Sequence, residues 1–173
     1  MATVLQPLDI PVVLSLAGRP SPTFAELGVE LGVSASTAHA CVKRLNFAGL
    51  VHTRGTVHEV NLPALEEFLL HGVRYAFPPH RARRQRGVPT AHSAPVLRDV
   101  LSGDVDPIVW PTPKGTVVGE ALEPLAPAAA SFAERAPQLY DLLALVDAIR
   151  VGTARDRQVA GELLVTRLGA VTR

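Results

Sequence analysis

The segment LGVSASTAHACVKRLNFAGLV, residues 31–51, carries the strongest local structural signals of the N-terminal half of the chain. Gly32 ends a short apolar run and Ser34 is a preferred helix N-cap, so a tight turn is expected to lead into a helix near 35–48. Gly49 then stands where a left-handed helix terminus favours glycine. With about 100° of rotation per residue, one side of this helix becomes an apolar stripe of Ala38, Cys41, Val42 and Leu45. The other side is left to small, hydroxyl and basic side chains.

The flanking sequence predicts a compact N-terminal unit around this helix. Residues 6–17 favour a first helix, and the capping-box sequence Thr23-Phe-Ala-Glu26 opens a second helix over 24–31. Two β-prone runs on either side of Gly55 predict a hairpin with a tight turn. A fourth helix is expected near 62–75. This order of helices and hairpin is that of a winged helix-turn-helix.

The same segment resembles the MarR-type winged-helix regulators, whose pattern runs Leu-Gly-Val-Ser-x-Ser-Thr, then Val-x-x-Leu, then Ala-Gly-Leu-Val. The positions that match are Leu31, Gly32, Val33, Ser34, Ser36, Thr37, Val42, Lys43, Arg44, Leu45, Ala48, Gly49, Leu50 and Val51. The resemblance covers roughly residues 6–76 and implies that residues 1–76 form a domain that binds double-stranded DNA. One position departs from the family, because Ala40 stands where such regulators often carry arginine on the base-reading face.

Two groups of residues are expected to contact DNA. The helix near 35–48 is expected to enter the major groove, with small and hydroxyl side chains at the bases and two basic ones on the backbone. The residues of this group are Ser34, Ser36, Thr37, His39, Ala40, Lys43 and Arg44. The hairpin adds Thr53, Arg54 and Thr56, and Arg54 is expected to reach a phosphate or the minor groove. An ordinary surface helix and an ordinary surface hairpin are the alternatives.

Positive charge is concentrated in one short central stretch. Residues 1–76 carry 5 Lys/Arg and 6 Asp/Glu, residues 77–92 carry 4 Arg and no acid, and residues 93–173 carry 8 basic and 10 acidic residues. A Pro- and Arg-rich composition without helical or strand period predicts a basic linker or ordered loop over 77–95. The arginines concerned are Arg81, Arg83, Arg84 and Arg86. They are expected to follow the DNA backbone, to meet acidic residues of the C-terminal region, or simply to be solvated.

The C-terminal region, residues 96–173, predicts a small hairpin followed by helices. Its strands are expected near Ile108–Trp110 and Thr116–Leu122, and two leucine-rich helices over 139–151 and 154–168. The whole chain is therefore expected to be mostly α with small β-hairpins, an α+β fold. The leucine-rich helices, or the first helix of the chain, are expected to form a homodimer interface. Alternatively, these helices only pack within one monomer.

Composition narrows the function class. The chain is 47% hydrophobic and only 19% charged, with a net charge of +1, which disfavours both a disordered tail and a polyanion-coating protein. Cys41 is the only cysteine, and neither a membrane-spanning run nor a signal-peptide pattern is present, so a cytoplasmic location is expected. His52 and His58 flank the wing glycine symmetrically and are candidate cross-strand neighbours, an arrangement suited to two metal ligands, but no third ligand is evident nearby. Because enzyme signatures are lacking as well, we expect no catalysis, no cofactor and no metal.

Together these features predict a sequence-specific transcriptional regulator, a dimeric repressor that reads a palindromic operator with the helix near 35–48. The C-terminal region is expected to serve dimerisation or to sense a small-molecule effector or a partner protein. The alternative is a protein-interaction module, or an antitoxin-like repressor whose C-terminal region binds a partner protein.

Overall fold

The computed structural model describes residues 4–19, 21–101 and 105–171. Parts of the predicted N- and C-terminal regions, residues 1–3, 20, 102–104 and 172–173, lie outside the described residues. The first half of the chain contains, in order, α1 (Asp9–Ala17), α2 (Phe24–Leu31), α3 (Ala35–Phe47), β1 (Val51–Arg54), β2 (Val57–Val60), α4 (Leu62–Glu67), a π-helical turn (Phe68–Gly72) and α5 (Val73–Ala76). The second half contains β3 (Arg81–Thr90), a 3-10 turn (Ala91–Ser93), α6 (Pro95–Arg98), β4 (Ile108–Pro111), β5 (Val117–Leu122), α7 (Ala129–Arg135), α8 (Pro137–Val151) and α9 (Ala154–Val171). The predicted α+β class is confirmed.

Local capping explains why α2 and α3 form a helix-turn-helix. Thr23 and Glu26 make the predicted capping box, with the Glu26 amide 3.2 Å from Thr23 Oγ1 and the Thr23 amide 2.7 Å from the Glu26 carboxylate. The backbone of Gly32 adopts φ +69°, a left-handed conformation that ends α2 at little cost for glycine. Ser34 then accepts a hydrogen bond from the Thr37 amide at 3.1 Å and begins α3.

The wing forms as predicted. Strands β1 and β2 pair antiparallel from Val51↔Val60 to Arg54↔Val57, and Gly55 at φ +61° makes the turn between them. The predicted helix near 62–75 is a single helical path that passes through α4, the π-helical turn and α5. The N-terminal half therefore has the element order of a winged helix-turn-helix.

The predicted linker over 77–95 is wrong for its central part, because residues 81–90 form the strand β3. Six consecutive residues, 81–86, are exposed, so the strand lacks the alternating apolar pattern that reveals a strand in a sequence. Its backbone is held instead by partners distant in the chain. Residues Gly87–Thr90 pair with β4, and Arg81–Gly87 pair with β5.

The predicted C-terminal hairpin is also wrong, although both of its strands exist. Strands β4 and β5 do not pair as a hairpin; both run antiparallel to β3, and they pair in parallel with each other at Ile108↔Glu120 and Val109↔Ala121. This closes a three-stranded barrel. Such tight closure requires glycine, because a Cβ atom on Gly87 would lie 2.2 Å from the carbonyl oxygen of Trp110.

The core continues from the winged-helix half into the C-terminal half. Helix α8 lies at its centre and contacts α1, α5, α6, α7, α9 and β3. All nine residues of α1 and residues 142–150 of α8 are buried within the single chain. These two helices have no free face for a partner, so the prediction that they form a dimer interface is wrong for both.

No helix among the described residues has the length and apolar character that a membrane span requires.

A buried carboxylate organises the C-terminal half. Asp147 of α8 accepts hydrogen bonds from Thr90 Oγ1 at 2.8 Å and Trp110 Nε1 at 2.7 Å, and pairs with Arg150 at 2.7 Å. Arg150 also donates to the carbonyl oxygens of Phe77 and Pro78, at 2.9 and 3.4 Å. The network therefore ties β3, β4 and α8 to the segment that leaves the winged-helix half.

We expect Asp147→Ala to lower the free energy of unfolding by about 3–5 kcal/mol, because it leaves the Arg150 charge buried without its counterion. The matched control is Asp141→Ala on the same helix, which breaks only the more exposed pair with Arg167 and should cost less than about 1 kcal/mol. Urea unfolding measures both variants. Equal costs for the two would contradict the role assigned to Asp147.

Candidate nucleic-acid interface

An open cleft of about 660 Å³ lies between α3, the start of α2 and the wing. It joins the two groups of residues that the sequence assigned to DNA contact. The side chains and backbone that line it belong to Ser21, Pro22, Thr23, Phe24, His39, Val42, Lys43, Asn46, Thr53, Gly55, Thr56 and His58. No carboxylate is among them, so the cleft is neutral to positive.

Helix α3 presents its predicted faces. Ala38, Cys41, Val42 and Leu45 are buried against the core, as the periodicity predicted. Ser36, His39, Ala40 and Lys43 are exposed on the opposite side. At the N-terminus of the helix, Ser34 Oγ lies 2.9 Å from Ser36 Oγ and 2.8 Å from Thr37 Oγ1, which gathers three hydroxyl groups at one point.

A residue that the sequence reading missed joins the wing to α3. Asn46 Oδ1 accepts a hydrogen bond from the Thr53 amide at 2.9 Å, and so fixes the middle of β1 to the last turn of the helix. Asn46 lies three residues after Lys43 and seven after His39, on the same side of a helix, so helical spacing alone was the available signal. Thr53, Arg54 and Thr56 are exposed along the wing and its tip.

Arg44 is not available to DNA, so its predicted role as a phosphate contact is wrong. Its Nε lies 2.9 Å from Asp9 Oδ2 and its Nη2 lies 2.7 Å from Asp9 Oδ1, a bidentate pair with a carboxylate that is fully buried. The hydrogen bond with Asp9 raises the pKa of Arg44. Because the aspartate neutralises this guanidinium and faces the protein interior, Arg44 fixes α3 against α1.

Cys41 lies beside this pair, with its Sγ 3.2 Å from Arg44 Nη2. Burial raises the pKa of the thiol to about 12. A thiol with so high a pKa carries almost no reactive thiolate at neutral pH. The structure therefore favours a packing role for Cys41 over a redox role.

The four central arginines lie on β3, where most of them bond to the protein itself. Arg81 pairs with Glu120, Arg84 pairs with Asp106, and Arg86 donates to the Gly115 carbonyl oxygen. For Arg81 and Arg84, this agrees with the alternative in which the arginines meet acidic residues of the C-terminal region. Arg83 differs, because the register of β3 shifts between Ala82 and Arg84. A shift of this kind leaves the extra residue outside the ladder, and Arg83 has no hydrogen-bond or ion-pair partner among the described residues.

The cleft floor is an aromatic group that the sequence reading did not anticipate. The ring centroid of Phe24 lies 4.9 Å from that of His39 and 5.1 Å from that of His58. His58 Nδ1 lies 3.1 Å from Thr53 Oγ1, its cross-strand neighbour. The suggested pairing of His52 with His58 is therefore wrong, since His52 lies opposite Glu59. No sequence signal joins Phe24 to residues 15 and 34 positions later.

Comparison with protein families, curated proteins and solved structures yields no match. The function of this surface must therefore be inferred from its geometry and charge.

We expect Arg44→Met to lower the free energy of unfolding by about 3–5 kcal/mol, because it strands a buried aspartate charge. Its neighbour Lys43 is exposed and has no ion-pair partner among the described residues, so Lys43→Met should change stability by less than about 0.5 kcal/mol. Chemical denaturation of the two variants tests the assignment. If Lys43→Met proves as costly as Arg44→Met, the division between a structural and a free cation is wrong.

Proposed function

We propose that this protein is a sequence-specific regulator of transcription that binds double-stranded DNA through α3 and the wing. One observation carries the proposal: the exposed face of α3 and the wing border a single cleft that has no carboxylate in its lining. Lys43 lines this cleft and Arg54 lies near the tip of the wing; neither has an ion-pair partner among the described residues, so both charges are available to phosphates.

The shape of α3 supports entry into the major groove. Ser36 and Ala40 are small and lie one turn apart on the exposed side, so the helix backbone can approach the base edges closely. The three hydroxyl groups near Ser34 are placed at the helix N-terminus, the end at which recognition helices contact bases and phosphates. Without arginine at position 40, we expect each helix to discriminate bases modestly.

Each copy offers few free cations to DNA, which favours binding by two copies. The winged-helix half carries a net charge of −1, and the Arg44 charge is taken up by Asp9. Because affinity for DNA comes largely from phosphate neutralisation, one copy with Lys43 and Arg54 is a weak binder. We therefore propose a homodimer on a palindromic site, with half-sites about one helical turn apart, that represses by covering its operator.

Binding to DNA from upstream of the protein's own gene, compared with a scrambled duplex, tests the function. Fluorescence anisotropy at several salt concentrations should show tighter binding to the native fragment and a steep loss of affinity with salt. Equal and weak binding to both duplexes would contradict the proposal and favour a protein partner for the same surface.

We expect Lys43→Ala and Arg54→Ala each to weaken binding and to reduce the slope of log K against log salt by about 1, because each removes one phosphate contact. Arg155→Ala is the matched control, since it removes an exposed arginine from α9 in the C-terminal half. Anisotropy titrations of the three variants measure the effect. A control that loses as much as the other two would assign the binding to overall charge rather than to this surface.

A further inference from the structure

Two imidazoles meet in the proposed DNA-binding cleft, although they come from different elements. His39 projects from α3 and His58 from β2, and both rings lie within 5.1 Å of the same Phe24 ring. Histidine is the side chain whose charge changes between about pH 5 and 8. A histidine in this cleft can therefore add positive charge to the proposed DNA-binding surface.

The free protein resists this gain of charge. Burial lowers the pKa of His58, and the neighbouring His39 lowers it further. Thr53 Oγ1 bonds His58 Nδ1 from the next strand, which fixes the ring toward the cleft. Lys43 lies in the same lining, so a proton on His58 would also be repelled by this ammonium group.

No acid in the cleft lining relieves that repulsion. On α2, the carboxylate of Glu26 accepts hydrogen bonds from the amide and the hydroxyl of Thr23, at 2.7 and 2.8 Å. On the wing, His52 and Glu59 lie opposite each other, and side-chain alternation places them on the face away from Thr53 and His58. Arg54, near the wing tip, adds a further positive charge to this element. Since the cleft lining holds no carboxylate, a bound anionic ligand would supply the negative charge that balances a protonated His58.

We propose that this cleft is a phosphodiester-binding site in which His58 takes up a proton as DNA binds, so that acidification strengthens DNA binding. The inference rests on the proposed function and assigns to it a phosphate contact and a dependence on pH. A backbone phosphate accepts hydrogen bonds from the His58 imidazolium and from an N–H group of His39, and Lys43 adds a third donor.

The test is the affinity for the upstream duplex at constant ionic strength, from about pH 7.5 down to about pH 5.5, the range in which histidine titrates. Wild-type protein should bind at least about tenfold more tightly at the lower pH, since one linked proton changes affinity by up to tenfold per pH unit. His58→Gln should abolish this dependence. His52→Gln, on the opposite face of the wing, should keep the wild-type dependence.

The outcomes separate the two proposals. DNA binding that does not change with pH, or that changes equally in His58→Gln, overturns the protonation of the cleft and leaves the DNA-binding function standing. No binding to any duplex at any pH overturns both. Nuclear magnetic resonance of the imidazole protons supplies a check that needs no variant: the pKa of His58 should rise on adding the duplex, and an unchanged value overturns the inference.

Discussion

The buried ion pair between Asp9 and Arg44 is the interaction on which the orientation of α3 depends. It joins the third helix to the first through a bidentate contact, and the apolar faces of both helices are buried in the same core. Removal of either partner leaves the charge of the other unpaired. The pair therefore favours one relative placement of the two helices. Helix α1 in turn contacts α8, so the exposed face of α3 is held rigidly by the centre of the molecule.

A second buried carboxylate plays the same part in the other half. Asp147 gathers Thr90, Trp110 and Arg150, and Arg150 reaches the carbonyl oxygens of Phe77 and Pro78 where the chain leaves the winged helix. The strand β3 is thereby joined to the same helix that supports α1. The C-terminal half thus forms one packed body with the winged helix.

The winged helix was predictable because its signals are local in the sequence. The C-terminal half was less predictable because it depends on pairing between residues far apart in the sequence. The caps at Thr23 and Ser34, the turn at Gly55 and the apolar stripe of α3 each act within a few residues, so the sequence specifies them directly. By contrast, β3 depends on strands about 20 to 40 residues away, and its exposed arginines hide any period. The same limit applies to the candidate site. Lys43 and Arg54 were predicted as exposed cations, but nothing in the local pattern showed that Asp9 neutralises Arg44 or that Phe24 joins His39 to His58.

The proposed function requires α3 and the wing to form one DNA-binding surface. Amide chemical-shift mapping of isotope-labelled protein, titrated with the upstream duplex, tests it most directly. We predict that the largest shifts fall on the start of α3, around Ser36 and Lys43, and on the wing around Arg54, with the barrel and α9 little changed. Shifts confined to β3 or to the C-terminal helices, or no shifts at all, would contradict the claim.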